Sequence, residues 1–314
     1  MNRYRNRLPQ LESDLFLTDG GLETTLVFHQ GIDLPGFAAF ALLENEQGKE
    51  TLRNYYRDYL ELAKTFKTNF ILESATWRSN TDWGNKLGYS QQQLDAINAL
   101  AIGEMETLRD DFDSGITHIV ISGNIGPRGD GYRPTHLMTP QESERYHAAQ
   151  ISVFAKSNAD LVTAVTLNYS DEAVGIVHAA KKYNIPAVIS FTVETDGKLA
   201  SGETLDEAID KVETASNGYT SYYMINCAHP NYFIATLGNN QNVLNKIHGV
   251  RANASLKSHA ELDESTELDA GDKQLLTARY KELKNRLAHF TVIGGCCGTD
   301  HTHIREICNA WFDE

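Results

Sequence analysis

Three of the four cysteines in this 314-residue chain directly follow segments with the composition of buried strands. Cys227 comes after Tyr222–Asn226, and the adjacent pair Cys296 and Cys297 comes after a short apolar run that ends in two glycines. Adjacent cysteines are poorly placed to bridge one another, so a disulfide framework is a poor explanation of the pattern. In a reducing compartment such cysteines indicate a metal site or catalysis.

Soft thiolates favour Zn2+, and a site with three protein ligands leaves a fourth position open for a substrate. Zinc lowers the pKa of a coordinated thiol below its ordinary value of roughly 8.5, which gives a thiolate nucleophile at neutral pH. Three protein thiolates keep that sulfur electron-rich, which favours attack on an electrophilic methyl group over activation of water. The alternative interpretation, a small buried hydrophobic side chain, is the better one for Cys308 in a helical segment. Gly294, Gly295 and Gly298 are expected to give the adjacent pair the backbone freedom to reach one metal.

Short β-branched segments alternate with longer segments of helical periodicity, which is typical of parallel strands joined by crossover helices. About eight strands are indicated, the number that a closed (β/α)8 barrel of the TIM type needs. No linker or repeat interrupts the alternation, so residues 1–314 are interpreted as one α/β barrel domain. The predicted strands are 15–18, 70–73, 118–122, 161–166, 187–192, 222–226, 247–252 and 290–293. The predicted helices are 52–67, 94–112, 140–157, 171–183, 204–216, 273–287 and 304–312.

The carboxyl ends of the strands meet at one mouth of such a barrel, so the three cysteines should converge there and hold the zinc. Asp19 and Gly20 end the first strand, and Glu73, Ser74 and Thr76 lie at the end of the second. These five residues are the candidate substrate contacts. The alternatives are a helix cap for Asp19 and internal hydrogen bonding for the strand-end residues.

Three further local features can be interpreted. Asp171 and Thr204 stand where helix N-caps are expected, and Pro140 suits a first helical turn. The polar segment from Arg251 to Asp272 follows the seventh predicted strand. It is expected to be a long loop on the catalytic face, with an ordinary solvated acidic loop as the alternative.

Composition restricts the partners of the protein. The chain has 28 basic and 42 acidic residues and a formal net charge of −14, which repels phosphate backbones and anionic lipids. No apolar run approaches the roughly 20 residues of a membrane helix. The basic N-terminus runs into Pro9 and Glu12 instead of an apolar segment, so no secretory signal is expected. We therefore expect a cytoplasmic protein that binds neither nucleic acid nor membrane, and a homo-oligomer is left open.

Six motifs along the chain carry a family resemblance, at residues 18–21, 73–77, 123–127, 190–192, 225–227 and 293–299. They resemble the homocysteine S-methyltransferase family, the zinc enzymes that include betaine- and S-methylmethionine-dependent methyltransferases. The resemblance covers nearly the whole chain and implies a barrel, one zinc, a thiol acceptor, a role in methionine biosynthesis and an acceptor-binding role for Asp19.

Two segments depart from the family pattern. The family usually carries a Glu-Thr pair at the end of the fourth strand, whose carboxylate holds the ammonium group of homocysteine, whereas this chain has Val165 and Thr166. The loop after the seventh strand, residues 251–259, also differs. We therefore expect homocysteine to be a poor acceptor, or to be held by contacts unlike those of the family. The candidates for a carboxylate that replaces the one missing at Val165 are Glu73, Glu194 and residues 261–264.

The expected function is transfer of a methyl group from a small sulfonium or quaternary-ammonium donor to a zinc-bound thiol such as homocysteine or an analogue. Trp77, Trp83, Tyr89 and Tyr132 are candidates to receive a cationic donor, with packing as the alternative role. A second hypothesis is a non-catalytic zinc-binding barrel that binds a small thiol. A metallohydrolase is disfavoured, because the first strand is not followed by a His-x-His pair.

Overall fold

A computed structural model describes residues 2–12, 14–134, 136–238 and 240–313. Eight parallel strands close into a barrel in chain order, with the eighth paired to the first. All eight predicted strands are present, which confirms the (β/α)8 prediction. The strands are β1 Phe16–Leu17, β2 Asn69–Glu73, β3 Ile119–Ile125, β4 Leu161–Leu167, β5 Ala187–Phe191, β6 Tyr222–Asn226, β7 Ile247–Ala252 and β8 Val292–Gly295.

Helices connect the strands, and every predicted helix is found. The α-helices are α1 Leu22–Thr24, α2 Glu46–Phe66, α3 Thr81–Lys86, α4 Gln91–Phe112, α5 Pro140–Lys156, α6 Ser170–Lys182, α7 Leu205–Ser216, α8 Pro230–Phe233, α9 Gln241–Leu244, α10 His259–Asp263, α11 Lys273–Arg286 and α12 His301–Phe312. Short 3-10 helices lie at Pro9–Leu11, Pro35–Phe37 and Ala39–Glu44, and a π-helical turn lies at Thr25–His29. No helix in the described ranges combines the length and apolar character needed to cross a bilayer.

The predicted helix starts were partly right. Thr204 caps α7 through its side chain, and Pro140 occupies the first turn of α5. The prediction of Asp171 as a cap was wrong, because α6 begins at Ser170 and its side-chain cap comes from another loop. The Glu203 carboxylate accepts hydrogen bonds from both the backbone N–H and the hydroxyl of Ser170.

The lower half of the barrel interior is filled by a compact cluster of strand side chains. Its buried members are Leu8, Phe16, Ile71, Val120, Leu161, Val188, Tyr222, Met224 and Val292. Leu8, from the segment before β1, adds to this cluster. Because this end is packed with apolar groups, the polar residues at the carboxyl ends of the strands are left to line a pocket at the opposite mouth.

The segment after β7 contains a loop and the short helix α10. The sequence analysis included Arg251 both in the seventh predicted strand and in the polar segment that follows it. In the structure it is a residue of β7, and its side chain is 8% exposed. Its guanidinium lies inside the barrel mouth, where it becomes a central part of the site.

Candidate metal and substrate site

A pocket opens at the carboxyl-terminal mouth of the barrel. It is formed by the ends of the strands and the turns that follow them, which is the usual place for the active site of this fold. The residues that line it are Asp19, Gly20, Gly21, Leu22, Glu23, Thr24, Tyr56, Glu73, Ser74, Ala75, Trp77, Asn124, Tyr132, Val165, Thr166, Asn226, Cys227, Arg251, Cys296 and Cys297.

The three predicted metal ligands meet in this pocket. Cys227 follows β6 and the adjacent pair Cys296 and Cys297 follows β8, and the three Sγ atoms all lie within 4.8 Å of one another. Cys227 and Cys296 are joined as a disulfide, whereas Cys297 is a free thiol. The sequence analysis judged a disulfide a poor explanation of the cysteines, and this pair corrects that interpretation. The proximity that lets three sulfurs surround one ion also lets two of them bond when they are oxidised.

Cys227 is held in a backbone conformation that residues other than glycine rarely adopt. Its φ is +53°, in the left-handed region, and Thr166 at the neighbouring end of β4 has φ +61°. The Cys227 carbonyl accepts hydrogen bonds from His259 Nε2 at 2.7 Å and from Asn253 Nδ2 at 3.0 Å. These contacts from the loop after β7 hold the strained turn that points the sulfur into the pocket.

Asn226 ties the ends of three strands together beneath the cysteines. Its Oδ1 accepts hydrogen bonds from the Thr166 backbone N–H at 2.8 Å and from the Ser190 hydroxyl at 2.7 Å. Its Nδ2 donates to the Thr166 hydroxyl at 2.9 Å. The side chain of Asn226 is thus fully engaged by β4 and β5, which fixes the position of Cys227 immediately after it.

Each of the three sulfurs has a polar side-chain atom close by. The Tyr132 hydroxyl lies 3.6 Å from Cys297 Sγ, Asn226 Nδ2 lies 4.0 Å from Cys296 Sγ, and the Thr166 hydroxyl lies 3.9 Å from the third sulfur. Burial raises the pKa of the Cys297 thiol to about 11. A thiolate in this environment needs a nearby cation, and the surrounding donors suit sulfurs that carry negative charge. The donor set therefore fits a soft metal ion.

A buried ion-pair cluster forms the opposite wall of the pocket. Arg251 donates from Nη2 to Asp19 Oδ1 at 2.7 Å and from Nη1 to Glu73 Oε2 at 2.6 Å. Its Nε donates to the Gly295 carbonyl at 3.1 Å, immediately before the cysteine pair. Tyr55 adds a hydrogen bond to Asp19 Oδ2 at 3.0 Å. The cluster links the ends of β1, β2, β7 and β8.

Burial and charge oppose each other in this cluster. Removal from water raises the pKa of Asp19 and of Glu73, while Arg251 acts in the opposite direction on both carboxyl groups. Burial likewise lowers the pKa of Arg251, but the two carboxylates outweigh it and the net shift is upward. The guanidinium therefore stays charged and neutralises one of its two partners.

Comparison with known proteins identifies the family of the chain. The family model described as homocysteine S-methyltransferase matches residues 16–311. The chain belongs to the homocysteine S-methyltransferase family. Homocysteine S-methyltransferase 4 of Zea mays is 23% identical, with 94% of this chain and 88% of that protein covered. Selenocysteine Se-methyltransferase of Brassica oleracea var. italica is 24% identical, with 93% and 87% covered.

A solved structure shows the same fold. The metallated form of the homocysteine methyltransferase MmuM from Escherichia coli superposes with a TM-score of 0.74 at 19% identity, with 97% of this chain and 99% of that chain covered. Membership of the homocysteine S-methyltransferase family makes this chain a methyltransferase whose reaction is methyl transfer to a thiol.

The predicted substrate contacts divide into two groups. Asp19, Gly20, Glu73 and Ser74 line the pocket. Thr76 is fully buried outside the lining, and its hydroxyl donates to the Asn124 carbonyl at 2.7 Å. Its polar group is therefore used to join the ends of β2 and β3, which was the alternative role considered for it.

The aromatic candidates divide in the same way. Trp77 and Tyr132 line the pocket, and the Tyr132 ring stacks on His259 with 3.9 Å between centroids. Trp83 packs under the Arg78 guanidinium, and the Tyr89 hydroxyl donates to a glutamate on the surface. Of the four candidates, Trp77 and Tyr132 are the ones that lie in the pocket lining.

Two of the charged residues that line the pocket, Glu23 and Arg251, were missed as site residues by the sequence analysis. Arg251 carried a usable signal, because a charged residue at the carboxyl end of a barrel strand indicates function rather than packing. Glu23 carried none, since an acidic residue in a first helical turn is ordinary.

Space, as well as backbone freedom, explains the glycines around the cysteine pair. Gly298 has φ +79°, and a Cβ there would lie 2.5 Å from the Asp269 carbonyl oxygen. A Cβ on Gly294 would overlap the Thr18 hydroxyl. The expected freedom is thus needed at Gly298, whereas Gly294 is required by its close approach to Thr18, directly after β1.

We expect Gly298→Ala to lower the free energy of unfolding by about 1–3 kcal/mol, because strain in φ and a steric clash coincide there. Urea titration of the reduced protein measures this. Gly202→Ala is the matched control, since Gly202 has φ +87° but an added Cβ would meet nothing within 4 Å. Equal losses in the two variants would contradict a role for the clash beside the cysteines.

Proposed function

We propose that the protein transfers a methyl group from a small sulfonium or quaternary-ammonium donor to a thiol bound to Zn2+, with Cys227, Cys296 and Cys297 as the zinc ligands. The observation that carries the proposal is the convergence of three cysteine sulfurs within 4.8 Å in a pocket at the barrel mouth. Homocysteine or a close analogue is the proposed acceptor, since the relatives named above are homocysteine and selenocysteine methyltransferases.

The ligand set supports an open metal site. In the described ranges, no fourth Cys, His, Asp or Glu atom joins the three sulfurs within the same distance. Three thiolates suit zinc and leave a coordination position for a substrate. Bound there, zinc would lower the pKa of the acceptor thiol so that it is ionised at neutral pH. The alternative, a non-catalytic zinc barrel, would want a fourth protein ligand that closes the site.

The residues of the chain would act by binding and orientation. Hydrogen bonds to the strand ends fix the three ligands, and the walls of the pocket bring the two reactants together. The acceptor sulfur forms a new bond to the methyl carbon, while the donor's carbon–sulfur or carbon–nitrogen bond breaks. Its electron pair leaves with the neutral thioether or tertiary amine, and the thiol proton goes to solvent.

The charge of the pocket favours a cationic donor. Three carboxylates, Asp19, Glu23 and Glu73, face one arginine among the lining residues, and Trp77 and Tyr132 offer aromatic surface. A sulfonium or quaternary ammonium group meets complementary charge there. The cytoplasm is the proposed location, because zinc binding requires the cysteines to be reduced.

The direct test is methyl transfer by purified protein that has been reduced and loaded with zinc. We expect S-methylmethionine, betaine or S-adenosylmethionine to methylate a thiol acceptor with no cobalamin, folate or nicotinamide added. Mass spectrometry of the methylated thiol measures the reaction. Chelation should abolish it and added zinc should restore it. Activity that depends on an added corrin, or that survives complete removal of metal, would contradict the proposal.

A further inference from the structure

Three carboxylates line the pocket, and two of them are already paired. Asp19 and Glu73 share the Arg251 guanidinium at 2.7 and 2.6 Å. Glu23 differs, because its carboxylate has no hydrogen-bond or ion-pair partner on another residue anywhere in the described ranges. It is the lining carboxylate whose charge is still available to a ligand.

The position of Glu23 keeps it partly out of water. It lies in the short helix α1, directly after Gly20 and Gly21 at the end of β1, and it is half-buried. Burial raises its pKa to about 7, with Asp19 adding to the rise. Arg78 acts on it only from a distance, since that guanidinium packs on the rings of Trp77 and Trp83. A cationic group in the pocket would restore the ionised form and gain an unshared partner.

The pocket also lacks a carboxylate at a position where the family resemblance implies one. Val165 lines the pocket at the end of β4 and is 7% exposed, so this wall offers no charge to an ammonium group. The substitution removes an acceptor-binding group from the fourth strand without removing the thiol site, because the cysteines come from β6 and β8.

The carboxylates suggested by the sequence as replacements are not available. Glu73 is committed to the ion pair described above, and Glu194 lies 3.0 Å from His259 Nδ1. Glu261 accepts hydrogen bonds at the start of its own helix, and Asp263 and Glu264 are exposed. None of these lines the pocket.

We propose that Glu23 is the specificity-determining residue that binds the ammonium group of the acceptor, so that the acceptor is an aminothiol held from the β1 side of the pocket. The assignment rests on the proposed function, since it takes the three cysteines as the site of the acceptor sulfur. Glu23 is not a member of the group of ligand atoms within 4.8 Å, so it is assigned to substrate and not to the metal.

The test compares two thiols of equal length on zinc-loaded protein, L-homocysteine and its desamino analogue 4-mercaptobutanoate. Isothermal titration calorimetry gives the Kd of each thiol, and zinc content is measured on the same samples. Loss of a charge-assisted hydrogen bond should weaken homocysteine binding to Glu23→Gln roughly ten- to a hundred-fold. Binding of the desamino thiol and the zinc content should be unchanged.

Glu61→Gln is the matched control, because Glu61 is an exposed residue of α2 outside the pocket lining. It should leave both dissociation constants at their wild-type values. Equal weakening of the two thiols in Glu23→Gln, loss of zinc, or weaker binding of the methyl donor with homocysteine binding unchanged would each overturn the assignment. If the wild type binds homocysteine more tightly than 4-mercaptobutanoate but transfers no methyl group, the proposed function fails. The role of Glu23 in binding the ammonium group is then still decided by the dissociation constants.

Discussion

Replacement of Cys297 by serine is expected to abolish stable zinc binding and to reduce methyl transfer at least about a hundred-fold. Cys297 is the one of the three converging residues that is a free thiol in the structure, and its sulfur lies beside the Tyr132 hydroxyl. A serine hydroxyl is a hard, weakly acidic ligand that suits zinc poorly, and the remaining pair cannot hold the ion tightly. Metal analysis after mild chelation, with activity on the same sample, measures both effects.

Cys308→Ser is the matched control for this substitution. Cys308 is also a free cysteine and is fully buried, but it lies in α12 away from the pocket. A serine there can donate its hydroxyl to the preceding helical turn. We expect this variant to keep about one zinc per chain. If Cys297→Ser retains as much zinc as Cys308→Ser at the same chelator concentration, the ligand assignment is wrong.

The barrel architecture could largely be predicted from the sequence, because its strands and helices depend on local residue patterns. Parallel strands buried on both faces are continuous apolar runs, and these marked all eight strands to within a few residues. The errors lie at the ends of strands and helices, where tertiary contacts decide which residue begins or ends the element. Phe290 was placed in β8, but it packs outside the barrel against Tyr280 and Trp311, and the strand begins at Val292. The start of α2 was missed because Glu46 and its neighbours are polar and have no apolar periodicity.

The convergence of the three cysteines could be predicted from the sequence for a different reason. Once a barrel is predicted, residues that follow strands must meet at one mouth, so the sequence places the three sulfurs together without knowledge of side-chain packing. It does not show which of them are oxidised, because pairing of Cys227 with Cys296 depends on redox state as well as distance.

The electrostatic partners in the pocket could not be derived from sequence. Arg251 meets Asp19 and Glu73 across 232 and 178 residues. The sequence contains many acidic residues that are possible partners for one arginine. The strand register of the closed barrel decides that Arg251 meets Asp19 and Glu73. The same pairing decides which carboxylate stays free, so Glu23 could be identified only after the two others were accounted for.

Arg251→Met is expected to have the largest effect on stability of any single substitution in the pocket. It removes the cation but leaves Asp19 and Glu73 buried, and breaking a buried pair typically costs about 3–5 kcal/mol. Urea unfolding of the metal-free, reduced protein at pH 8 measures the loss. Arg57→Met is the matched control. Its guanidinium is 37% exposed and pairs with Glu50 on the surface, so its removal should cost less than about 1 kcal/mol.

The loss should also depend on pH, with a sign set by the two carboxyl groups. Burial raises the pKa of Asp19, and it raises that of Glu73 to about 7, above the ordinary values that apply in the unfolded chain. Those directions hold with Arg251 in place. Without its charge only hydrogen bonds such as that from Tyr55 to Asp19 oppose the rise, so both pKa values lie higher still in the variant. Above the wild-type values the folded variant therefore binds more protons than the folded wild type or the unfolded chain. Its free energy of unfolding falls as pH rises through this range. The deficit relative to wild type should be small near pH 5 and largest at pH 8. A deficit that is the same at both pH values would mean that lost packing, and not the two uncompensated carboxylates, accounts for the effect of Arg251→Met.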